Sequence, residues 1–330
     1  MESSSHNNVQ KRIILAAVAL IILALLGAAY MLRPRGRAAI KVATLQGGIS
    51  TLDLVEKLDL GEQFGIDVQV IRLQKTPDIA VALAKGEVDA AIVPAEVAAR
   101  MIEEGAPVKI AAVDMLQNQA ILTMNDTIKT PADLKGRRVA AVTASGTYKM
   151  FKAYLLLLYH LRVGEQGAPG DVAVVNAPPG SLVDALRRGD VDAIVAWEPL
   201  VSMALVKGAR IVADYQQMWR AAKLQGPPVM LVWVVRSDVP SDTVNALIKA
   251  RNEAAEIWVK NPAATKKIIT EIYRLPPQVF DTMYHRTIIY TGPLNNTAIQ
   301  GIRSEWWLAW KGGYLPRSPD AIPDTVFLKP

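Results

Sequence analysis

Short apolar segments alternate along the chain with longer segments whose apolar residues recur every three or four positions. An apolar run of about four to eight residues between polar turns is typical of a buried strand, and the longer spacing is typical of an amphipathic helix. Strand patterns occur at 40–43, 66–73, 90–93, 108–113, 120–124, 138–142, 172–175, 194–196, 209–212 and 229–235. Helical patterns occur at 50–60, 146–162 and 199–207, and towards the C-terminus, where Pro262, Pro276, Pro277 and Pro293 are expected at helix starts. The alternation predicts an α/β fold with mainly parallel sheets covered on both faces.

One local pattern occurs twice. Residues 82–90 read ALAKGEVDA and residues 185–193 read ALRRGDVDA, with six of nine positions identical. In each copy a helical pattern leads to a glycine suited to a helix C-terminus, and an apolar run follows. This helix-to-strand turn is common enough to occur twice by chance. The other interpretation is a pair of similarly built α/β lobes, in which Asp89 and Asp192 serve the geometry of the turn.

The N-terminal segment contains twenty consecutive uncharged residues, 13–32, flanked by basic residues on both sides. A run of this length can span the apolar core of a bilayer, which is about 30 Å thick. We expect a short cytoplasmic tail at 1–12, a transmembrane helix at 13–32 and a linker at 33–38. The globular part would then lie on the extracytoplasmic side of the cell membrane, anchored by a single pass. A cleaved signal peptide, with small residues at 27–29 as its cleavage site, is the alternative.

Composition narrows the classes of partner and chemistry. Of the net charge of +6, residues 1–37 carry +4 and residues 38–330 carry +2, so no nucleic-acid-binding surface is expected on the globular part. The chain has no cysteine, which excludes disulfides, thiolate metal ligands and a cysteine nucleophile. The three histidines stand apart, and no phosphate-binding glycine–lysine pattern occurs. No catalytic cluster, metal ion or cofactor is therefore expected.

Several stretches together resemble ABC-transporter solute-binding proteins of the nitrate/sulfonate/taurine type, a family that includes binders of thiamine precursors. They are 61–68 (GEQFGIDV), 86–90 (GEVDA), 133–139 (DLKGRRV) with 145–147 (SGT), and 189–199 (GDVDAIVAWEP). The resemblance covers about residues 40–330 and depends on the order and spacing of these stretches. It implies a two-lobed, periplasmic-binding-protein-like fold of class II, with the ligand in the cleft between the lobes.

The resemblance also implies that the chain crosses between the lobes twice, here near 121–125 and 232–236. One lobe would comprise residues 39–123 and 236–330, and the other would be the insertion 124–235. An N-terminal transmembrane helix departs from the family, whose members are often soluble or lipoproteins.

In open parallel sheets, ligands bind beyond the carboxyl ends of the strands. The end at 143–147 is the strongest candidate because it leads into a helix N-terminus, where free N–H groups and hydroxyls favour an anion. Three of the candidates have a purely structural alternative. Ser145 can be a helix N-cap, and Glu96 can be a carboxylate that stabilises the first turn of a helix. Trp197 can be either a wall for an organic ligand or an ordinary core residue. Glu198 could accept a hydrogen bond from an amine, and the glycines at 47–48 either admit a ligand or form a flexible turn. The candidate ligand-binding residues are Thr44, Gln46, Gly47, Gly48, Pro94, Glu96, Thr143, Ser145, Gly146, Thr147, Trp197 and Glu198.

The expected function is that of the extracytoplasmic solute-binding subunit of an ABC importer, working with a permease subunit and its cytoplasmic ATPase. Nitrate, sulfonates, taurine, an aromatic acid and a pyrimidine all remain open as the solute. The first alternative is an enzyme similar to pyrimidine-precursor synthases, which share this fold but use a cysteine-rich segment that this chain lacks. The second is a ligand-sensing ectodomain, although the first twelve residues offer no cytoplasmic module.

Overall fold

The structure, a computed structural model, describes residues 37–165 and 169–328. The expected tail, the expected transmembrane helix at 13–32 and most of the linker lie outside the described residues. Within the described ranges, none of the helices has the length and apolar character needed to cross a bilayer.

The described residues form eleven strands and eleven α-helices. The strands are β1 (Ala38–Leu45), β2 (Ile66–Leu73), β3 (Ala90–Pro94), β4 (Val108–Leu116), β5 (Ala120–Thr123), β6 (Arg138–Ala141), β7 (Val163–Glu165), β8 (Val172–Asn176), β9 (Ala193–Ala196), β10 (Arg210–Asp214) and β11 (Val229–Arg236). The helices are α1 (Leu52–Lys57), α2 (Thr76–Lys85), α3 (Ala95–Glu103), α4 (Gly146–Tyr159), α5 (Pro179–Arg188), α6 (Leu200–Val206), α7 (Tyr215–Ala221), α8 (Ser241–Lys260), α9 (Pro262–Tyr273), α10 (Pro277–Arg286) and α11 (Asn296–Lys311). The predicted α/β alternation is confirmed.

The strands form two sheets in which one arrangement is repeated. The first sheet has the order β2-β1-β3-β11-β4, and the second, read from its outer edge, has the order β7-β8-β6-β9-β5-β10. Three parallel strands in the first sheet, and four in the second, are followed by an antiparallel strand, which pairs with one further strand. The prediction of two similarly built lobes is therefore confirmed. The prediction of mainly parallel sheets holds for all strands but one in each sheet, because only β11 and β5 run against their neighbours.

The chain changes sheet earlier than the sequence predicted. Strand β5 pairs with β9 of the second sheet, and β11 pairs with β3 of the first sheet. The crossings therefore lie at 117–119 and 222–228, and the expected positions near 121–125 and 232–236 fall inside the strands that follow them. We call the first sheet with its helices the first lobe, and the second sheet with its helices the second lobe. Two helix pairs also bridge the lobes, since α11 packs against α4 and α10 packs against α6.

The repeated sequence pattern has one structure in both lobes. Helices α2 and α5 each end at a glycine with positive φ, 73° at Gly86 and 74° at Gly189, a conformation that a side chain disfavours. The aspartate three positions after each glycine then accepts a hydrogen bond from a backbone N–H of a neighbouring strand. Asp89 Oδ2 lies 2.7 Å from Lys41 N, and Asp192 Oδ2 lies 2.9 Å from Arg138 N. Both aspartates thus serve the turn, as predicted.

Candidate ligand-binding site

A cavity lies between the two lobes, where the carboxyl ends of β1, β3 and β9 meet the N-terminus of α4. The space that the centre of a water-sized molecule can occupy in this cavity has a volume of about 50 Å³. The first lobe contributes most of the apolar lining, and the second lobe contributes a helix terminus and one tryptophan. The lining residues are Thr44, Leu45, Gly48, Ile49, Thr76, Ile79, Ile92, Pro94, Glu96, Met115, Asn118, Gln119, Ser145, Gly146, Thr147, Trp197, Glu198, Met230 and Leu231.

Nine of the twelve residues singled out from the sequence lie around this cavity, and three do not. Gln46 and Gly47 form the exposed turn after β1, where Gln46 N donates to Leu73 O at 2.8 Å. Thr143 stands at the edge of the second sheet, with its N–H donating to Asn176 Oδ1 at 3.0 Å. The ends of the four predicted strands thus lie together around the cavity, as expected. The turn residues Gln46, Gly47 and Thr143 do not line it.

Sequence reasoning missed the amides of the first crossing. Asn118 and Gln119 line the cavity, and the side chain of Gln117 is held from both lobes. Gln117 Nε2 donates to Glu305 Oε2 at 2.8 Å, and Tyr154 OH donates to Gln117 Oε1 at 2.9 Å. Three consecutive amide residues between two apolar strands were the available signal.

The N-terminus of α4 is capped within the protein. Ser145 Oγ accepts a hydrogen bond from Tyr148 N at 3.2 Å and donates to Val142 O at 2.7 Å. Gly146 leaves no space beside it, because a Cβ there would lie 2.1 Å from Glu96 Oε1 and 2.8 Å from Pro94 Cβ. The role of Ser145 as an N-cap is therefore present, and a carboxyl oxygen already stands against this helix terminus.

Glu96 is the most unusual polar residue of the lining. Its side chain is buried, with 1% of the residue exposed, and Oε1 has no hydrogen-bond partner among the described residues. Burial raises the pKa of Glu96 to about 7, against a smaller lowering by its own backbone N–H and by the charge of Lys149. Glu305, on α11, is equally buried, and its pKa is raised by burial and by the nearby charge of Glu96.

Glu198, in contrast, is paired across the lobes. Its Oε1 accepts a hydrogen bond from Arg286 Nε at 2.7 Å, and its Oε2 accepts one from Ser202 N at 3.1 Å. Arg286, from the first lobe, also donates to Asp214 Oδ2 at 2.9 Å. Burial raises the pKa of Glu198, although the charge of Arg286 opposes that rise. One arginine thus joins the first lobe to two carboxylates of the second.

Trp197 contributes an apolar wall from the second lobe. It is 6% exposed and packs within a cluster whose other members, such as Ile92 and Met230, belong mainly to the first lobe. The residue is therefore part of a core, as one of the two interpretations had it, and it also lines the cavity.

The lining is polar in part but has no basic residue. Among its described residues none is Lys, Arg or His, and two are glutamates. Within the described ranges, no three His, Asp or Glu side chains converge so as to hold a metal ion. The chemistry that this arrangement offers is the enclosure of a small molecule by hydroxyl, amide and carboxyl groups on an apolar floor.

Solved structures with the same fold include binding proteins. The alkanesulfonate-binding protein SsuA from Xanthomonas axonopodis pv. citri, bound to MOPS, superposes with a TM-score of 0.70 at 19% identity, covering 88% of this chain and 98% of that one. The periplasmic nitrate-binding protein NrtA from Synechocystis PCC 6803 gives a TM-score of 0.64 at 17% identity, covering 88% and 86%. The architecture is thus the two-lobed fold of periplasmic binding proteins.

The family is shown by the sequence itself. The model of the NMT1-like family matches residues 52–273, and this chain belongs to that family. The taurine-binding periplasmic protein of Escherichia coli (strain K12) is 28% identical over 257 residues, which cover 72% of this chain and 77% of that protein. The resemblance to solute-binding proteins of the nitrate/sulfonate/taurine type is confirmed.

Proposed function

We propose that this chain is the solute-binding subunit of an ABC importer, which holds one small solute between its lobes and presents it to a permease with a cytoplasmic ATPase. The observation that carries the proposal is the cavity between the lobes, whose lining comes from both lobes and from the crossing at 117–119. A solute that contacts both lobes binds the closed arrangement more tightly than an open one, and therefore favours closure. Closure gives the permease a shape that distinguishes the loaded from the empty subunit.

The nine predicted residues around the cavity are our proposed ligand contacts. Thr44 and Thr147 supply hydroxyl groups, Trp197 supplies a flat apolar surface, and the backbone at Gly48 allows close approach. The names of the relatives, which describe binding of taurine, alkanesulfonate and nitrate, support a small solute. They also support a protein that binds its solute without transforming it.

We further propose that residues 13–32 anchor the protein in the cell membrane with the two lobes on the extracytoplasmic side. The length of this uncharged run supports an anchor, and the periplasmic location in the name of the taurine-binding relative supports that side. Fractionation of cells that produce the full chain tests the anchor. Recovery of a shortened protein in the soluble extracytoplasmic fraction would instead identify a cleaved signal peptide.

The solute-binding function is tested by measuring ligand binding and closure together. A thermal-shift screen of nitrate, sulfonates, aminosulfonates, aromatic acids and aminopyrimidines should yield a stabilising solute, since a ligand at a hundred times its Kd adds about 2.7 kcal/mol. Distances between labels on the two lobes should then shorten or narrow in distribution with that solute. Trp197→Ala should weaken binding, whereas Trp307→Ala, on the partly exposed face of α11, should not. Conversion of the bound solute to a released product would refute the proposal.

A further inference from the structure

We propose that Glu96 binds a positively charged nitrogen of the solute, so that this protein selects small molecules that carry an ammonium group. The inference rests on the proposed function, because it assigns a chemical class to the ligand of the same cavity.

The carboxyl group of Glu96 lacks the partners that a buried carboxylate requires. The residue lines the cavity with 1% of its surface exposed, and its Oε1 has no hydrogen-bond partner among the described residues. Buried polar groups are almost always satisfied by protein, water or ligand, and a buried charge needs a counter-charge. Because Glu96 is one of the residues that line the cavity, a molecule in the cavity can supply that partner.

The charge of the lining selects a cation rather than an anion. The second carboxylate, Glu198, is already neutralised by Arg286, which stands outside the lining. Glu96 has no such ion pair among the described residues, and the ammonium group of Lys149 lies instead over the ring of Tyr314, 5.6 Å from its centre. A simple anion such as nitrate would meet one unpaired carboxylate here and no basic side chain. An ammonium group would supply the missing positive charge.

A second carboxyl group also favours a cation in the cavity. Burial raises the pKa of Glu305, and the charge of Glu96 raises it further. Two buried carboxyl groups whose charges act on each other resist ionising together unless a cation lies beside them. With an ammonium group in the cavity, Glu96 can ionise while Glu305 keeps its proton and its contact with Gln117.

The experiment compares amines with their amine-free analogues. Taurine is paired with ethanesulfonate and β-alanine with propionate, and binding to the full chain is measured by calorimetry for the wild type, Glu96→Gln and Glu104→Gln. Glu104 is an exposed glutamate just beyond the same helix, so its substitution serves as the control. We expect wild type and Glu104→Gln to bind an amine at least about tenfold more tightly than its analogue, and Glu96→Gln to lose that preference.

Calorimetry in buffers of different ionisation heat provides a second readout that needs no variant. Lys149 acts on the charge of Glu96, and Glu96 in turn acts on Glu305, Tyr215 and Tyr314. Because an ammonium group favours the ionised form of Glu96, whose pKa is about 7, binding at pH 7 should release protons. Proton uptake would instead mean that a protonated Glu96 donates to an anion, and would overturn the inference.

The two proposals fail in different ways. If ethanesulfonate and propionate bind the wild type as tightly as the amines, solute binding stands and the role of Glu96 is wrong. The role is also wrong if Glu96→Gln keeps the preference for amines. If neither the amines nor any other solute of the screen binds, the inference falls together with the proposed function.

Discussion

Replacing Arg286 by methionine should loosen the contact between the lobes. The substitution keeps the apolar stem of the side chain and removes the guanidinium group that joins Glu198 and Asp214. Glu198 would then retain only the N–H of Ser202, although its side chain is completely buried. A buried carboxylate with a single neutral donor is unfavourable, so the closed arrangement should lose stability.

The expected loss of stability has two contributions, one from Glu198 and one from Asp214. Removing one partner of a buried pair typically costs about 3–5 kcal/mol. Asp214 is 20% exposed on its side chain and should add at most about 1 kcal/mol, since water replaces part of its contact. Protonation of Glu198 removes its buried negative charge and therefore lowers the larger of these two contributions. We therefore expect a loss near 3 kcal/mol in the free energy of unfolding at pH 8.

The loss should depend on pH in a defined direction. Burial already raises the pKa of Glu198 above its ordinary value of 4.5, and the variant lacks the arginine that opposes this rise. A carboxyl group whose pKa is higher in the folded state binds more protons there, so stability falls as the pH rises from the unfolded-state pKa through the folded-state pKa. The destabilisation of the variant should accordingly be full at pH 8 and shrink towards pH 4.5.

Urea unfolding of four proteins measures this: wild type, Arg286→Met, Glu198→Gln and the double variant. A coupling energy of about 1–3 kcal/mol between the two positions is expected at pH 8. Arg220→Met, at an exposed arginine of α7, is the control and should unfold like the wild type. A loss below about 0.5 kcal/mol for Arg286→Met at pH 8, or an equal loss at both pH values, would refute the reasoning.

Three further predictions follow from the cavity and the repeat. Glu96→Gln should stabilise the ligand-free protein at pH 8 by up to about 3 kcal/mol, because the folded-state pKa of about 7 exceeds 4.5; urea unfolding at pH 4.5 should show no gain, and a gain there would contradict the assignment. Gly146→Val should weaken solute binding and cost about 1–3 kcal/mol of stability, since its Cβ meets Glu96 and Pro94, whereas Gly180→Val, in open space, should leave binding unchanged in the same titration. Asp89→Asn and Asp192→Asn should each cost about 1 kcal/mol in urea unfolding without changing solute affinity, and a change in affinity would assign them a role beyond the turn.

The hydrophobic pattern located most strands but could not assign the crossing strands to their sheets. Strand β2 was predicted to the residue, because its alternation reflects one buried and one exposed face. Strands β5 and β11 are buried on both faces, so an apolar run of this kind fits either sheet equally well. Strand β7 has only three residues and presents too short a pattern to recognise. Sheet membership is decided by pairing between distant strands, which a local pattern does not contain.

The same limit applies to the cavity. The strand ends and the glycine at the start of α4 were visible in the sequence, because each follows from a local transition between a strand and a turn or helix. The partners that set their charge were not visible. Arg286 reaches Glu198 across 88 positions, and the charge of Glu96 helps to raise the pKa of Glu305, from α11. Such contacts arise only once the C-terminal helices have packed on the lobes.

The position of β11 in the first sheet sets an order for folding. Strand β11 lies between β3 and β4, so these two strands cannot take their final places until residues 229–236 are available. All strands of the second sheet, from β5 to β10, are contiguous in sequence and precede β11. A chain that emerges from its N-terminus can therefore complete the second sheet while the first still lacks a central strand. The second lobe can form its complete sheet before residues 229–236 are available, whereas the first lobe cannot.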